Sequence, residues 1–309
     1  MRLIPIIHGE FRCIGTEPDL TQLGLQPQQS NGRPNQPNDH HIFKADDNRW
    51  HLWACVRGTK VGRILCHWQA DSLMQSPWVF TGEIIRADKS YGESLVEWKG
   101  QEFIQSPYVV KDNGRYFMFY GGYDCGLNPW GEPLDPAENY NHAEKQICLM
   151  TSNDGLNWKR HRNENGFSRL FYGPGAARDE CVVKFGDTWY IYYCGHHNWD
   201  RRCGAIYVRT SDDLIHWSDW HIAHYDKDSE NRKWLPESPV VIYKKGYYYL
   251  FRTHGLKSGC WVYRSDNPFN FGQGDVSEYF VTHLPGVIAP EIITDDAGNE
   301  YITTITDGE

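Results

Sequence analysis

The 309-residue chain lacks any apolar run of about 18 residues, the length that a membrane-spanning helix needs. It also lacks an excess of positive charge. The net charge is -9, which gives no electrostatic reason to expect nucleic acid or an anionic membrane as a partner. The apolar patch near the N-terminus is interrupted by Pro5 and is too short for the core of a signal peptide. These absences favour a cytoplasmic protein, although a periplasmic or secreted protein whose signal peptide had been removed would read identically.

The sequence also lacks closely spaced pairs of cysteines. The nine cysteines are an odd number without any CxxC spacing, and Cys194 with His196 has no second half to complete a metal site. Free cysteine in an apolar or aromatic run behaves as a small buried hydrophobe. Five cysteines lie in such runs: Cys55, Cys148, Cys181, Cys194 and Cys260. We therefore expect reduced thiols and no required cofactor.

Helical segments are missing too, and a repeat takes their place. Five times an apolar strand, a polar turn and an aromatic strand follow one another, and the turns contain the Asp, Asn and Gly that tight hairpins require. The aromatic strands are expected at 49–56, 115–122, 188–195, 247–254 and 300–306. In four repeats a third strand follows, with a Ser/Asp turn similar to the structural Asp-box of other propellers. Such repeats predict an all-β fold, a five-bladed β-propeller.

The repeats predict two segments. Residues 39–309 are expected to form the five-bladed propeller, and residues 1–38 an extended segment that contains several prolines. The fifth repeat stops after one hairpin, so the N-terminal segment is a candidate for closing the ring. The stretch 125–146 is rich in Pro, Asn and Glu and is expected to be an irregular loop that walls one side of a pocket.

One column of the aligned repeats varies between acidic and neutral residues. Anchoring each repeat on its apolar pair aligns Asp39, Ser106, Asp179, Glu237 and Ala289. Because the inner strands of a propeller surround one axis, these positions are expected to ring one mouth of the central channel, which would hold the active site. Crowded carboxylates acquire different pKa values, so one can donate a proton while another stays ionised, as glycosidic bond cleavage requires. A second alignment, anchored on glycines in the turns, places Ser238 in the column instead of Glu237.

Each acid also has a structural interpretation on its own. Asp39 could cap a turn, Asp179 could pair with Arg178, and Glu237 could be a solvated residue before a strand. The candidates for binding sugar hydroxyls at the same mouth are His40, His41, Gln105, Ser106 and Arg178. Structural roles are expected for His196, His197 and His254, and blade filling for Trp53, Trp199 and Trp261.

The chain from Asn38 onward resembles glycoside hydrolase family 43 and its arabinanase, xylosidase and invertase relatives. The resemblance rests on the acids that open blades one, three and four and on the phrases QSPYVVKDNGRYFMFYGG and PESPVVIYKKGYYYLF. It implies a glycosidase that cleaves a terminal bond with inversion. Asp39 would be the general base, Glu237 the general acid, and Asp179 the group that orients the acid and tunes its pKa. In retaining relatives, the residue that matches Asp39 is the nucleophile and the one that matches Asp179 stabilises the transition state.

The sequence departs from the family pattern in one respect. The usual Asp-Pro after the first and third acids is replaced by Asp39-His40 and Asp179-Glu180, which indicates a divergent member. Some relatives carry a calcium or other ion near the axis, but no ligand cluster in the sequence specifies one. The expected partner is an oligosaccharide or polysaccharide. A retaining glycosidase or transglycosylase, a propeller phosphorylase and a non-catalytic carbohydrate-binding propeller remain alternatives. The sugar, the linkage, exo or endo action and the oligomeric state are left open.

Overall fold

Strands account for nearly all the regular structure of the residues that the structure describes. The computed structural model describes residues 3–26, 37–93, 102–123, 145–198, 203–229, 235–255 and 257–305. In these ranges the regular elements other than strands are two short 3₁₀ turns, Lys89–Tyr91 and Lys227–Ser229. The prediction of an all-β chain is therefore confirmed. Across the same ranges we find no helix with the length and apolar character that crossing a membrane requires.

The chain divides into two compact units, residues 12–178 and residues 3–11 with 179–307. In its described residues the first unit contains nine strands in one sheet. They are β1 (Pro37–Lys44), β2 (Trp50–Thr59), β3 (Gly62–Ala70), β4 (Val79–Ile85), β5 (Glu102–Asp112), β6 (Arg115–Tyr123), β7 (Lys145–Ser152), β8 (Lys159–Arg160) and β9 (Arg169–Tyr172). Neighbouring strands are antiparallel except for a short parallel contact between β3 and β5, which joins two blade-like groups.

The second unit contains three smaller sheets. The first comprises β10 (Arg178–Phe185), β11 (Thr188–Asn198), β12 (Cys203–Ser211), β13 (His221–Asp226) and β17 (Gln273–Gly274). The next comprises β14 (Glu237–Lys244), β15 (Tyr247–Thr253), β16 (Cys260–Ser265) and β18 (Phe280–Leu284), and the last β19 (Ile292–Thr294) and β20 (Glu300–Ile302). Strands β1, β5, β10, β14 and β19 each begin at or within a few residues of one of the five predicted openings, and each is followed by its aromatic partner strand.

Tight turns explain why these hairpins form. Asp112 pairs with Arg115, and the two residues between them, Asn113 and Gly114, have φ angles of 48° and 79°. Two consecutive left-handed residues match the twist of the flanking strands, and Asn-Gly is a favoured sequence for them. The turn between β14 and β15 uses the same geometry at residues 245–246, with φ angles of 50° and 88°.

Aromatic and sulfur-containing side chains fill the space within each unit. In the first unit the cluster includes Phe43, Trp53 and Met118, and Met118 is fully buried. In the second unit Tyr192 and Tyr263 are fully buried in the same way. The role of Trp53 as blade filling is confirmed by its 3% exposure.

The Ser/Asp turns have the structural role that the sequence predicted. Asp154 accepts hydrogen bonds at 2.8 Å from the backbone N–H groups of Leu156 and Asn157. These bonds, first among them that from Asn157, hold the pKa of Asp154 well below its usual range. Asp213 repeats the arrangement with the N–H groups of residues 215 and 216. Each carboxylate therefore satisfies backbone donors that the turn leaves without a strand partner.

Residues 3–26 of the N-terminal segment contain no strand, and its residues 37–38 begin β1. Its residues 12–26 lie against the first sheet, since Trp78 N–H donates to the Ile14 carbonyl at 2.9 Å and Lys60 N–H to the Leu25 carbonyl at 3.1 Å. The predicted loop 125–146 lies outside the described residues except for 145–146, which begin β7, and most of the proline-rich linker also lies outside them. How the fifth blade is completed therefore stays a prediction.

Candidate active site

The inner strands begin with irregular backbone. Strand pairing shifts register between Asn38 and His40 in β1, between Gln105 and Tyr108 in β5, and between Glu237 and Val240 in β14. Such β-bulges turn individual side chains away from the regular alternation of a strand, and they are common beside active sites. The polar candidates of blades one, two and four thus lie in or directly beside bulges.

A left-handed backbone marks the equivalent position in four of the five openings. Ser106, Asp179, Ser238 and Ala289 have φ angles of 55°, 60°, 49° and 46°. This conformation costs a non-glycine residue roughly 1–2 kcal/mol, so its repetition defines the structural column. Ser238 aligns with Asp179, and Glu237 lies one residue earlier, at the position of Gln105. Of the two alignments that the sequence left open, the backbone therefore supports the one with Ser238 in the column.

Asp39 lies in the first unit with its side chain 11% exposed, and Arg57 Nη2 donates to its Oδ2 at 2.9 Å. Burial alone would raise the pKa of Asp39, but the charges of Arg57, Arg63 and Arg178 outweigh it and lower that pKa below its ordinary value. Asp39 is therefore ionised at neutral pH, as a base or a nucleophile must be.

The other candidates of the first unit are largely buried. Gln105 is 1% exposed and its Oε1 accepts a bond of 2.5 Å from Arg63, while Ser106 is 4% exposed. The ring centroids of His41 and Tyr108 are 3.9 Å apart. Arg178 is 5% exposed and donates to the Ala176 carbonyl at 3.0 Å.

His40 follows Asp39 and is half-buried. Burial, with the neighbouring His41 charge, lowers the pKa of His40 to about 4, so its imidazole is neutral near pH 7. A neutral imidazole has one donor and one acceptor nitrogen, which suits a sugar hydroxyl.

In the second unit the Asp179 carboxylate joins three strands. It is 9% exposed on β10, and its Oδ2 accepts from the backbone N–H of Ser238 at 3.2 Å and from the thiol of Cys194 at 3.3 Å. Because Ser238 follows Glu237 directly, the bond from Ser238 fixes the backbone that carries Glu237. Glu237 is half-buried and pairs with Thr253 on β15.

Thr253 also shows where the aromatic strand ends. Since Thr253 pairs with Glu237, the next residue, His254, lies at the end of β15 where β14 begins. His254 stacks on Trp261 at 4.0 Å and its Nε2 lies 3.3 Å from Asp228 Oδ2. Burial and the adjacent Arg252 charge lower the pKa of His254. These contacts agree with the structural role predicted for His254, whereas Trp199 and the side chain of His197 lie outside the described residues.

Sequence reasoning did not select Arg57, Arg63 or Cys194. Cys194 was noted as a buried thiol in an aromatic run and, with His196, as an incomplete half of a metal site, but not as a partner of Asp179. Both arginines lie in the Gly/Lys/Arg stretch at the turn between β2 and β3, which reads as an ordinary polar turn. The sequence did contain one signal that could have identified these arginines, because both flank a turn that lies close to the first acid along the chain. Among the residues that the structure describes, no cluster of three or more His, Cys, Asp or Glu side chains could hold a metal ion.

Comparisons with known protein sequences do not indicate a function. No model of a known protein family matches the chain. A segment of 115 residues is 29% identical to an uncharacterized protein of Mycobacterium tuberculosis (strain CDC 1551 / Oshkosh), and it spans 36% of this chain and 32% of that protein. This partial match carries no functional information.

Solved structures match over most of the chain. A thermostable family-43 glycoside hydrolase has a TM-score of 0.59 at 18% identity, with 90% of this chain and 85% of that chain covered. The α-L-arabinanase of Cellvibrio cellulosa has a TM-score of 0.56 at 13% identity, with 86% and 85% covered. The GH32 β-fructofuranosidase BmSUC1 of Bombyx mori has a TM-score of 0.58 at 18% identity, with 86% and 54% covered. The chain thus has the fold of these propeller glycosidases, which confirms the predicted five-bladed class and, at the level of the fold, the resemblance to family 43.

Proposed function

We propose that this protein is a glycoside hydrolase that removes a terminal sugar with inversion of configuration. Asp39 accepts a proton from water while the water oxygen bonds to the anomeric carbon. Glu237 donates a proton to the leaving oxygen as the glycosidic bond breaks. The observation that carries this proposal is the presence of carboxylates at the starts of the inner strands of a fold shared with glycosidases.

The surroundings of the acids support these roles. The charge of Arg57 favours the ionised form of Asp39, and a general base must be ionised to accept a proton. Asp179 binds the backbone N–H directly after Glu237, so it is suited to orient the acid through the strand. A terminal pentose or fructose is the proposed substrate class, since the similar solved structures include an arabinanase, a xylosidase and a fructofuranosidase.

The first experiment screens the purified chain on aryl glycosides and plant or algal polysaccharides, with the anomeric configuration of the first product followed by NMR. We expect the inverted anomer. Asp39→Asn and Glu237→Gln should each lower kcat/KM by about 10²–10⁴-fold, the usual contribution of a general acid or base. Asp71→Asn is the matched control, because Asp71 is 81% exposed and pairs only with Arg49 among the contacts described. Wild-type rates in both active-site variants would refute the assignment.

A second experiment separates the acid from the base. A leaving group that departs as a stable anion needs no protonation, so Glu237→Gln should retain most activity on dinitrophenyl glycosides but not on alkyl glycosides. Asp39→Asn should lose activity on both substrates. Equal losses of the Glu237 variant on the two substrates would exclude Glu237 as the general acid.

A second candidate function is phosphorolysis, in which inorganic phosphate replaces water as the attacking group. The specific observation is that Arg57, Arg63 and Arg178 all act electrostatically on Asp39, and arginine is well suited to bind phosphate. Turnover that depends on added phosphate, with a sugar 1-phosphate as product, would favour this candidate. Turnover that is unaffected by phosphate would exclude it.

A further inference from the structure

Two neighbouring bulges bring Arg57 to Asp39. One bulge, between Asn38 and His40, presents Asp39 from β1. The other lies in β2, where the pairing with β3 shifts register between Val56 and Thr59, and it presents Arg57. Since Cys55 pairs with Asn38, the two bulges lie at nearly the same level of the sheet.

The contact involves only one oxygen of the carboxylate. Arg57 Nη2 lies 2.9 Å from Asp39 Oδ2, with the arginine side chain 44% exposed and the aspartate 11% exposed. Within the described part of the chain no donor contacts Asp39 Oδ1. Arg57 therefore ties down one oxygen and leaves the other for chemistry. The charges of Arg63 and Arg178 act on Asp39 without a described hydrogen bond to it.

We propose that Arg57 is a positioning residue, which holds Asp39 through Oδ2 so that Oδ1 faces the attacking group. This proposal rests on the proposed function of Asp39. A carboxylate that is already oriented does not lose rotational freedom in the transition state, so the benefit appears in kcat.

The kinetic test compares Arg57→Gln, Arg57→Lys and the control Arg49→Gln. Arg49 is 37% exposed and binds Asp71, which is 81% exposed, at 2.8 Å, so its removal deletes an exposed arginine–aspartate pair that lies next to the ends of β2 and β3. We expect kcat to fall about tenfold in Arg57→Gln with little change in KM. In Arg57→Lys, which keeps the positive charge, kcat should fall only about threefold. The acidic limb of the kcat/KM profile should move to higher pH in Arg57→Gln, because the pKa of Asp39 loses the charge that lowers it. Arg49→Gln should match the wild type.

A second readout needs no turnover. The carboxyl carbon of Asp39, labelled with ¹³C and assigned through Asp39→Asn, should titrate at higher pH in Arg57→Gln than in the wild type and in Arg57→Lys. An unchanged titration, or kinetics of Arg57→Gln equal to those of Arg49→Gln, would overturn the proposal. If no glycoside is turned over, the proposed function fails, and the ¹³C titration alone decides whether Arg57 controls Asp39.

Discussion

Replacing Arg252 by Met removes the central charge of a buried network in the second unit. Arg252 is fully buried on β15, and it donates to His224 Nε2 at 3.3 Å and to the Tyr263 hydroxyl at 2.8 Å. It also forms an ion pair with Asp226, which is 4% exposed, and donates to His254 Nδ1. Methionine keeps the apolar stem of arginine without its charge or donors, but it is shorter, so the substitution removes the polar contacts and leaves a small space where the guanidinium lay.

The size of the expected loss in the free energy of unfolding follows from the Asp226 carboxylate, which stays buried after Arg252 is replaced. Without Arg252 the Asp226 carboxylate is a buried charge without its counterion, and breaking a buried pair in this way costs about 3–5 kcal/mol. Ser229 still donates to Asp226 Oδ1 through its N–H and hydroxyl groups at 2.8 and 2.7 Å, which places the expected loss near the lower end, about 3 kcal/mol.

The assay is equilibrium urea unfolding of wild type, Arg252→Met, Asp226→Leu and the double variant. We expect the double variant to be more stable than either single one, because replacing both partners of a buried pair by apolar residues is often neutral. Burial raises the pKa of Asp226 but Arg252 lowers it by more, so its folded-state pKa lies below the ordinary value. The stabilisation is therefore complete above the unfolded-state pKa and is lost as pH falls through the folded-state pKa. The difference between wild type and Arg252→Met should narrow in that acidic range.

Two results would refute this reasoning. One is a loss below about 1 kcal/mol in Arg252→Met, which would mean that the network is worth no more than an exposed ion pair. The other is a double variant whose loss equals the sum of the single losses, which would mean that the two side chains are not coupled.

Three further predictions concern other parts of the chain. Met118→Ala should lower the free energy of unfolding by about 2–5 kcal/mol in urea, because Met118 is fully buried in the first-unit core. Burial lowers the pKa of His67 to about 3, so at intermediate pH the unfolded chain binds a proton that the folded chain does not. The free energy of unfolding should therefore fall as the pH is lowered from about 6.5 to about 3, and it should fall less in His67→Phe. Cys194→Ala should lower kcat several-fold while Cys194→Ser retains it, because a hydroxyl can also donate to Asp179; equal kcat values in the two variants would contradict the thiol's role.

The hairpins could be predicted because their signals are local. Asn113-Gly114 alone predicts a tight turn, and the flanking apolar and aromatic residues predict the strands that it joins. The outer strands β4 (79–85), β13 (221–226) and β18 (280–284) were not predicted individually. None of the three has a regular alternation of buried and exposed residues, and β4 has no buried residue at all, so their strand pairing depends on the sheet that precedes them.

The candidate site could be predicted only in part. The three acids were selected as candidates because they recur at the starts of repeats. The alignment of Ser238 with Asp179 could not be decided, because a bulge inserts one residue without changing the apolar pattern on either side. Arg57 and Cys194 were missed because each reaches its acid across a hairpin, 18 and 15 residues away along the chain.

The sequence by itself therefore determined the repeat and the all-β class, since strand and turn formation depends on neighbouring residues, and it selected the three acids as candidates. The tertiary structure decided which oxygen of Asp39 binds Arg57, which donors hold Asp179, and that Ser238 rather than Glu237 takes the left-handed position. These features depend on strand register and bulges, and register is fixed only when distant strands pair and bury their side chains together.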